Sequence, residues 1–221
     1  MRARAALVTS SLAMLSASTH ALADDGAATA ADARNLEISV ASGAALPLGS
    51  SESGTRTRDT TFGLVPIALG AAYRASRVVG VALGVRYGIA VPTLCTDSSS
   101  CKSSLGSDVA LSLRARIYLP RFASASPHVD AGLGWEWLTT RLEDNGASSS
   151  RSFSGPLLLT ASLASPFALG SRWSLGPLIA CELGAFTSST VEGPGIRSSG
   201  AVPSRALHAW LTAGAEVAVR F

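Results

Sequence analysis

Residues 206–221, the last of the chain, constrain the fold more than any other segment. Apolar side chains alternate there with small or polar ones, so an extended strand would carry them on opposite faces. A helix would need a period of about 3.6 residues. One face is apolar and the other polar: Leu207, Leu211, Val217, Val219 and Phe221 against His208, Thr212, Glu216 and Arg220. A two-faced strand longer than the about 9–11 residues needed to cross a bilayer predicts the closing strand of a transmembrane β-barrel.

The same alternation recurs along the chain and predicts an all-β protein. It is clearest in residues 79–91, where large apolar residues hold the odd positions and glycine, alanine and one arginine hold the even positions. We predict eight strands, at residues 36–47, 63–74, 78–91, 107–119, 128–141, 156–166, 173–187 and 206–221.

The connections between these strands predict the topology. Long polar connections at 49–61, 92–106, 142–155 and 188–205 alternate with short ones at 75–77, 120–127 and 167–172. Long loops on one side and short turns on the other are typical of an eight-stranded antiparallel up-and-down transmembrane β-barrel. In that arrangement the long loops are extracellular and both barrel termini are periplasmic.

The beginning of the chain predicts export. Arg2 and Arg4 precede an apolar stretch at residues 5–17, and Ala21-Leu22-Ala23 forms an A-x-A cleavage site. We therefore expect residues 1–23 to be a cleaved signal peptide, residues 24–35 a short periplasmic leader and residues 36–221 the barrel. The apolar stretch is too short to span a membrane as a helix.

A soluble, lipocalin-like eight-stranded barrel is the main structural alternative. Its second face would meet bulk water and would be rich in charged residues. Here the second face is mostly glycine, alanine and serine, and the chain has one lysine, Lys102, in a predicted loop. Basic residues are dispersed rather than clustered with aromatic ones, so we expect no nucleic-acid partner.

Two cysteines flank a polar loop segment. Cys95 and Cys101 enclose Thr-Asp-Ser-Ser-Ser, and disulfides persist in exported proteins, so we predict a Cys95–Cys101 bridge. A zinc site is the weaker alternative because no second ligand pair lies nearby. His128 and His208 also lack partners at metal-ligand spacing, and we expect neither metal nor cofactor.

With these features the chain resembles the small eight-stranded outer-membrane barrels of the OmpA-like and OmpW-like group. Its terminal segment resembles their assembly signal at Thr212, Gly214, Val217, Val219 and Phe221. The resemblance implies insertion by the outer-membrane assembly machinery with periplasmic chaperones. We also expect a monomer that contacts outer-membrane lipids and lipopolysaccharide.

Strand alternation places a set of charged residues inside the barrel. Buried charges are costly unless they are paired, so we expect salt bridges that fill the lumen. Exchange of arginine partners in a narrow pore is the functional alternative. The predicted network is Glu37, Arg86, Arg114, Arg116, Asp130, Glu136, Glu182, Glu216 and Arg220.

These features favour a non-catalytic protein. The first expectation is a structural or surface-interaction barrel, and the alternative is a narrow channel for small or hydrophobic solutes. A lipid-modifying enzyme is less favoured. A deacylase-like pattern needs Ser two residues after a His, whereas the residue two positions after His208 is Trp210. Catalysis would require His208, Ser204 and a carboxylate such as Glu192 to meet in the outer loops.

Overall fold

The computed structural model describes residues 35–52, 55–57, 61–92, 101–120, 125–144, 147–202 and 205–221. The predicted signal peptide and almost all of the predicted leader lie outside these residues. Among the residues described, no helix is long and apolar enough to cross a membrane. The strands are β1 Leu36–Glu52, β2 Thr55–Arg56, β3 Thr61–Arg74, β4 Val79–Pro92, β5 Cys101–Tyr118, β6 His128–Asp144, β7 Ala147–Ala164, β8 Phe167–Ala168, β9 Trp173–Ala185, β10 Ser188–Gly193, β11 Ile196–Ala201 and β12 Leu207–Arg220.

Eight of these strands close into an antiparallel barrel. The order around the barrel is β1, β3, β4, β5, β6, β7, β9 and β12, and β12 pairs with β1. The closing pairs run from Glu37 opposite Arg220 to Gly49 opposite His208, and the Phe221 N–H donates to the Leu36 carbonyl at 2.9 Å. The predicted fold is confirmed, and sequence neighbours are spatial neighbours throughout the barrel.

The barrel wall is apolar outside and small or polar inside. Leu83, Leu113 and Leu133 lie side by side on three neighbouring strands, and each is about 60% exposed. Residues of opposite parity, such as Ala82 and Arg116, are buried in the interior. A soluble barrel has the inverse arrangement, so the lipocalin-like alternative does not fit this wall.

Several connections that the sequence predicts as loops continue as strands. β6 ends at Asp144 and β7 begins at Ala147, so most of the predicted 142–155 loop consists of paired strands. β5 already begins at Cys101. The β10–β11 hairpin occupies most of the predicted 188–205 loop, and the short β8 lies within the predicted 167–172 turn. These serine-rich segments lack apolar alternation because a strand outside the membrane needs no apolar face. Cys95 and the side chain of Cys101 lie outside the part of the chain that the structure describes, so their bridge stays a prediction.

The outward position of Leu113 gives a direct test of the apolar wall. Leu113→Arg is expected to lower the free energy of unfolding by about 2–4 kcal/mol, the cost of arginine near a bilayer midplane. The measurement is urea unfolding of protein folded in lipid vesicles. Ile196→Arg is the control, because Ile196 lies in the exposed β11 and should change stability little. Equal, small effects of both substitutions would contradict a lipid-facing wall.

Candidate functional site in the barrel lumen

One group of charged residues crosses the lumen near the short turns, and we name it the turn-end cluster. At its centre, Arg116 of β5 donates from Nε and Nη2 to the two Asp130 oxygens at 2.8 and 2.9 Å, and its Nη1 contacts Glu37 of β1. Glu37 also accepts from Arg220 Nε at 2.8 Å. The cluster therefore joins β5, β6 and both closing strands. Its members are Glu37, Arg114, Arg116, His128, Asp130, Glu216 and Arg220.

The outer members of this cluster have longer contacts. Arg114 Nη1 lies 3.7 Å from Asp130 Oδ2, and His128 Nε2 lies 3.7 Å from Glu216 Oε1. The Arg114 guanidinium packs against Gly84, where the nearest approach leaves no room for a Cβ atom. The glycine at this position of β4 thus gives Arg114 its place in the lumen.

A second group surrounds Arg86 toward the long loops, and we name it the loop-end cluster. Arg86 contacts Asp108 and Glu182 at 2.7 Å each and Glu136 at 3.3 Å. These four residues come from β4, β5, β9 and β6, so one guanidinium bridges four strands. Asp108 and Glu136 are fully buried, whereas the Glu182 side chain is 15% exposed.

Two residues of β12 complete the loop-end cluster. Trp210 Nε1 donates to Glu136 Oε1 at 2.6 Å, and His208 Nε2 lies 2.6 Å from Glu136 Oε2. The His208 ring also stacks on Phe186, with ring centroids 4.0 Å apart. Glu136 is therefore held by groups from three directions, and His208 is fixed between a carboxylate and an aromatic ring.

An apolar layer lies on the loop side of the loop-end cluster. Each member is at most 3% exposed, and Val202 reaches the layer from the chain that follows β11. The Val202 N–H donates to the Thr187 carbonyl at 3.0 Å, which holds this segment at the base of the β10–β11 hairpin. The members are Ala45, Leu64, Ala90, Leu138, Phe153, Phe186, Val202 and Trp210.

A small chamber separates the two ionic clusters. Its volume is about 70 Å³, and small side chains such as Ala41, Ala110 and Ser112 line it together with Arg86 and Glu182. Both polar and apolar side chains line this space, which has room for a few water molecules. The lumen thus consists of an ionic cluster, a chamber, a second ionic cluster and an apolar layer.

The barrel wall beside the chamber has a gap in its hydrogen-bond ladder. β1 and β3 pair at Ser42 opposite Ile67 and again at Ala45 opposite Leu64, but the two pairs between them are missing. Pro66 has no N–H and so cannot donate to the Gly43 carbonyl opposite it. The Ser42 hydroxyl donates to the Pro66 carbonyl at 3.0 Å, and both residues line the chamber.

The nine residues predicted for the lumen network all face the interior, divided between the two clusters. Sequence reasoning omitted Asp108, although Asp108 has the same even parity on β5 as Arg114 and Arg116. It also left His128 out of the network, whereas the structure buries it beside Glu216. His128 has the same even parity on β6 as Asp130 and Glu136, so strand alternation alone was sufficient to place it inside the lumen.

The arrangement required for catalysis is not formed by the described residues. His208 contacts Glu136, whereas Glu192 is exposed and pairs with Arg197 at 3.1 Å. Ser204 lies outside the residues that the structure describes. In the part of the chain that the structure covers, no group of three or more His, Cys, Asp or Glu side chains is placed to hold a metal ion.

Comparison with known proteins identifies the fold. No protein-family model and no curated protein sequence matches the chain. Among solved structures, the chain is similar to a major outer membrane protein from Thermus thermophilus, with a TM-score of 0.58, 14% identity and coverage of 86% of this chain and 100% of that one. OprG from Pseudomonas aeruginosa matches with a TM-score of 0.53, 12% identity and coverage of 85% and 97%. Neisserial surface protein A matches with a TM-score of 0.50, 13% identity and coverage of 84% and 97%. The expected resemblance to small outer-membrane barrels is confirmed at the level of fold.

The turn-end cluster predicts an unequal effect of two identical substitutions. Arg116→Met leaves Glu37 and Asp130 buried without their main partner and should lower the free energy of unfolding by about 3–5 kcal/mol. Arg197→Met breaks the exposed pair with Glu192 and should cost less than about 1 kcal/mol. Urea unfolding in vesicles measures both values. Similar losses for the two variants would mean that the lumen network contributes no more than a surface ion pair.

Proposed function

We propose that this protein is an integral outer-membrane barrel with a closed lumen and a structural or surface-interaction role. The observation that carries the proposal is the filling of the lumen by the Arg86 and Arg116 clusters together with the apolar layer. An eight-stranded barrel is just wide enough for side chains to fill it. Paired charges and packed apolar groups at two heights leave solutes no continuous aqueous path.

The outer-membrane location is supported by the wall as well as by the fold. Tyr73, Trp173 and Phe221 are exposed near the short turns, and Trp135 and Trp137 are exposed farther toward the loops. Aromatic side chains at two heights are typical of barrels anchored at both membrane interfaces. We propose that the signal peptide directs export, that the assembly machinery recognises the terminal strand and that both barrel termini are periplasmic.

A surface role is supported by the elements beyond the barrel. The β10–β11 hairpin continues the sheet past β7, and Ile196 at its tip is 67% exposed. The exposed arginines of this region, including Arg197, can pair with phosphate groups of lipopolysaccharide. These extensions provide the surface on which contacts with the cell exterior would form.

The closed lumen predicts electrical silence. Protein refolded into a planar bilayer should show no discrete conductance steps, because both ionic clusters block the path. A difference in gel migration between unboiled and boiled samples is the control that the inserted protein is folded. Steady unitary steps from folded protein would contradict the closed lumen.

The ladder gap favours a second candidate, a narrow channel for small or hydrophobic solutes. The gap at Pro66 lies beside the chamber, and outward residues such as Val65 and Ile67 border it. An apolar solute in the chamber could leave sideways through the wall there. This route requires the loop-end cluster and the apolar layer to open, but the turn-end cluster can stay closed, so it is consistent with silence in a bilayer recording.

The channel candidate predicts that closing the gap slows transport. Pro66→Ala supplies the missing N–H for the Gly43 carbonyl and should reduce uptake of a small apolar solute into proteoliposomes severalfold. Pro177→Ala is the matched control, because the ladder at Pro177 is already continuous with β12. Equal uptake by both variants, or none by the wild-type protein, would contradict the channel candidate.

An enzymatic function has the least support. The His208 side chain is buried and held by Glu136 and Phe186, so it is not free to act as a base toward a serine in the loops. We therefore propose a non-catalytic protein.

A further inference from the structure

The loop-end cluster contains more acids than bases. Asp108, Glu136 and Glu182 surround Arg86, and the carboxylates outnumber the cations even if His208 is protonated. The turn-end cluster is balanced, because it contains three carboxylates and three guanidinium groups: Glu37, Asp130 and Glu216 with Arg114, Arg116 and Arg220. Its third carboxylate, Glu216, contacts His128. The excess of negative charge is therefore a local property of the loop end.

Two of these acids lie side by side. Asp108 Oδ2 and Glu136 Oε1 contact the same nitrogen, Arg86 Nη2, at 2.7 and 3.3 Å, so the two carboxyl groups meet at one side of the guanidinium. Both are 0% exposed. Two ionised carboxylates in such a place repel each other strongly, whereas one shared proton converts the repulsion into a hydrogen bond.

The partners of the two acids indicate which one carries the proton. Glu136 is supplied by donors from Trp210 and Arg86 and by the ring of His208, which favours its ionised form. Within the described part of the chain, neither Asp108 oxygen accepts a hydrogen bond, although Arg86 lies nearby. A protonated Asp108 would donate to Glu136 and leave each group with a partner.

We propose that Asp108 and Glu136 form a proton-binding site, in which Asp108 holds the proton and donates it in a hydrogen bond to Glu136. The other charged groups that face the pair are Arg86 on β4, Glu182 on β9 and His208 on β12. The elements β1, β3 and β7 contribute uncharged side chains, Ala45, Leu64 and Phe153, to the apolar layer next to the pair, and Arg151 of β7 lies farther out, over the Phe153 ring.

The proton at this site also affects the closure of the lumen. Loss of the proton would add a negative charge beside Glu136, and Arg86 cannot neutralise three carboxylates at once. The loop-end cluster would then loosen, so the proton acts as a latch on this side of the lumen. This role as a latch rests on the proposed closed lumen, whereas the proton site itself rests only on the cluster geometry.

Infrared spectroscopy of the folded protein in vesicles tests the site directly. At neutral pH the wild-type protein should show the C=O band of a protonated carboxylic acid, and Asp108→Asn should remove that band. The asparagine amide of this variant would still donate a hydrogen bond to Glu136, so folding should be retained. Glu192→Gln, which changes an exposed carboxylate, is the control and should leave the band intact.

The pH dependence of unfolding supplies a second readout. If the folded state holds one proton that the unfolded chain releases above about pH 4, stability falls as the pH rises. The unfolding equilibrium constant of the wild-type protein should then rise about tenfold per pH unit relative to that of Asp108→Asn. This difference should stop growing at the pH where the folded protein loses the proton.

The outcomes separate the site from the closed lumen. Absence of the acid band from the wild-type protein overturns the proton site, and this result does not depend on whether the variant folds. Parallel pH profiles for the wild-type protein and Asp108→Asn also overturn it. A conducting barrel that keeps the Asp108-dependent band supports the proton site and overturns only its role as a latch on a closed lumen.

Discussion

Closure of the hydrogen-bond ladder is the constraint on which the rest of the structure depends. Hydrocarbon offers no partner to a free N–H or C=O, so a sheet that crosses a membrane must have no open edge. The pairing of β1 with β12 meets this requirement, and the bond from Phe221 to Leu36 extends it to the last residue. Once the sheet is closed, strand alternation leaves only two environments, lipid outside and a narrow lumen inside.

The narrow lumen explains why the interior is ionic and why its cations are arginines. A charge in a confined, poorly solvated space is stable only if it is paired and hydrogen-bonded. The planar guanidinium has five donors and can meet carboxylates on several strands at once, as Arg86 and Arg116 do. A lysine ammonium would serve as a point charge and could not bridge the strands in the same way. Each cluster therefore fastens strands that are far apart in sequence.

The sequence was sufficient for the strand order and for the inward face of the nine charged residues predicted for the lumen, because period-two alternation is a local property. It could not supply the pairing of Glu37 with Arg220 or of Arg86 with Glu182, since those contacts depend on strand stagger. It also missed the outer ends of β6 and β7, where the serine-rich sequence carries no apolar alternation. In β7 a register shift between Leu157 and Leu159 reverses the alternation, so parity counted from one end fails beyond it.

The two ends of the lumen have different physical characters because their charges are balanced differently. The turn-end cluster has equal numbers of carboxylates and guanidinium groups, and its ion pairs connect the closing strands β1 and β12 to β5 and β6. Such a cluster can act as a permanent clamp where β1 and β12 close the barrel. The loop-end cluster concentrates three acids on one guanidinium and lies under an apolar layer that excludes water. Exclusion of water strengthens both the attraction to Arg86 and the repulsion between neighbouring carboxylates. Any change in the protonation of the lumen should therefore be felt first at the end that faces the loops, while the clamp at the turns holds the barrel closed.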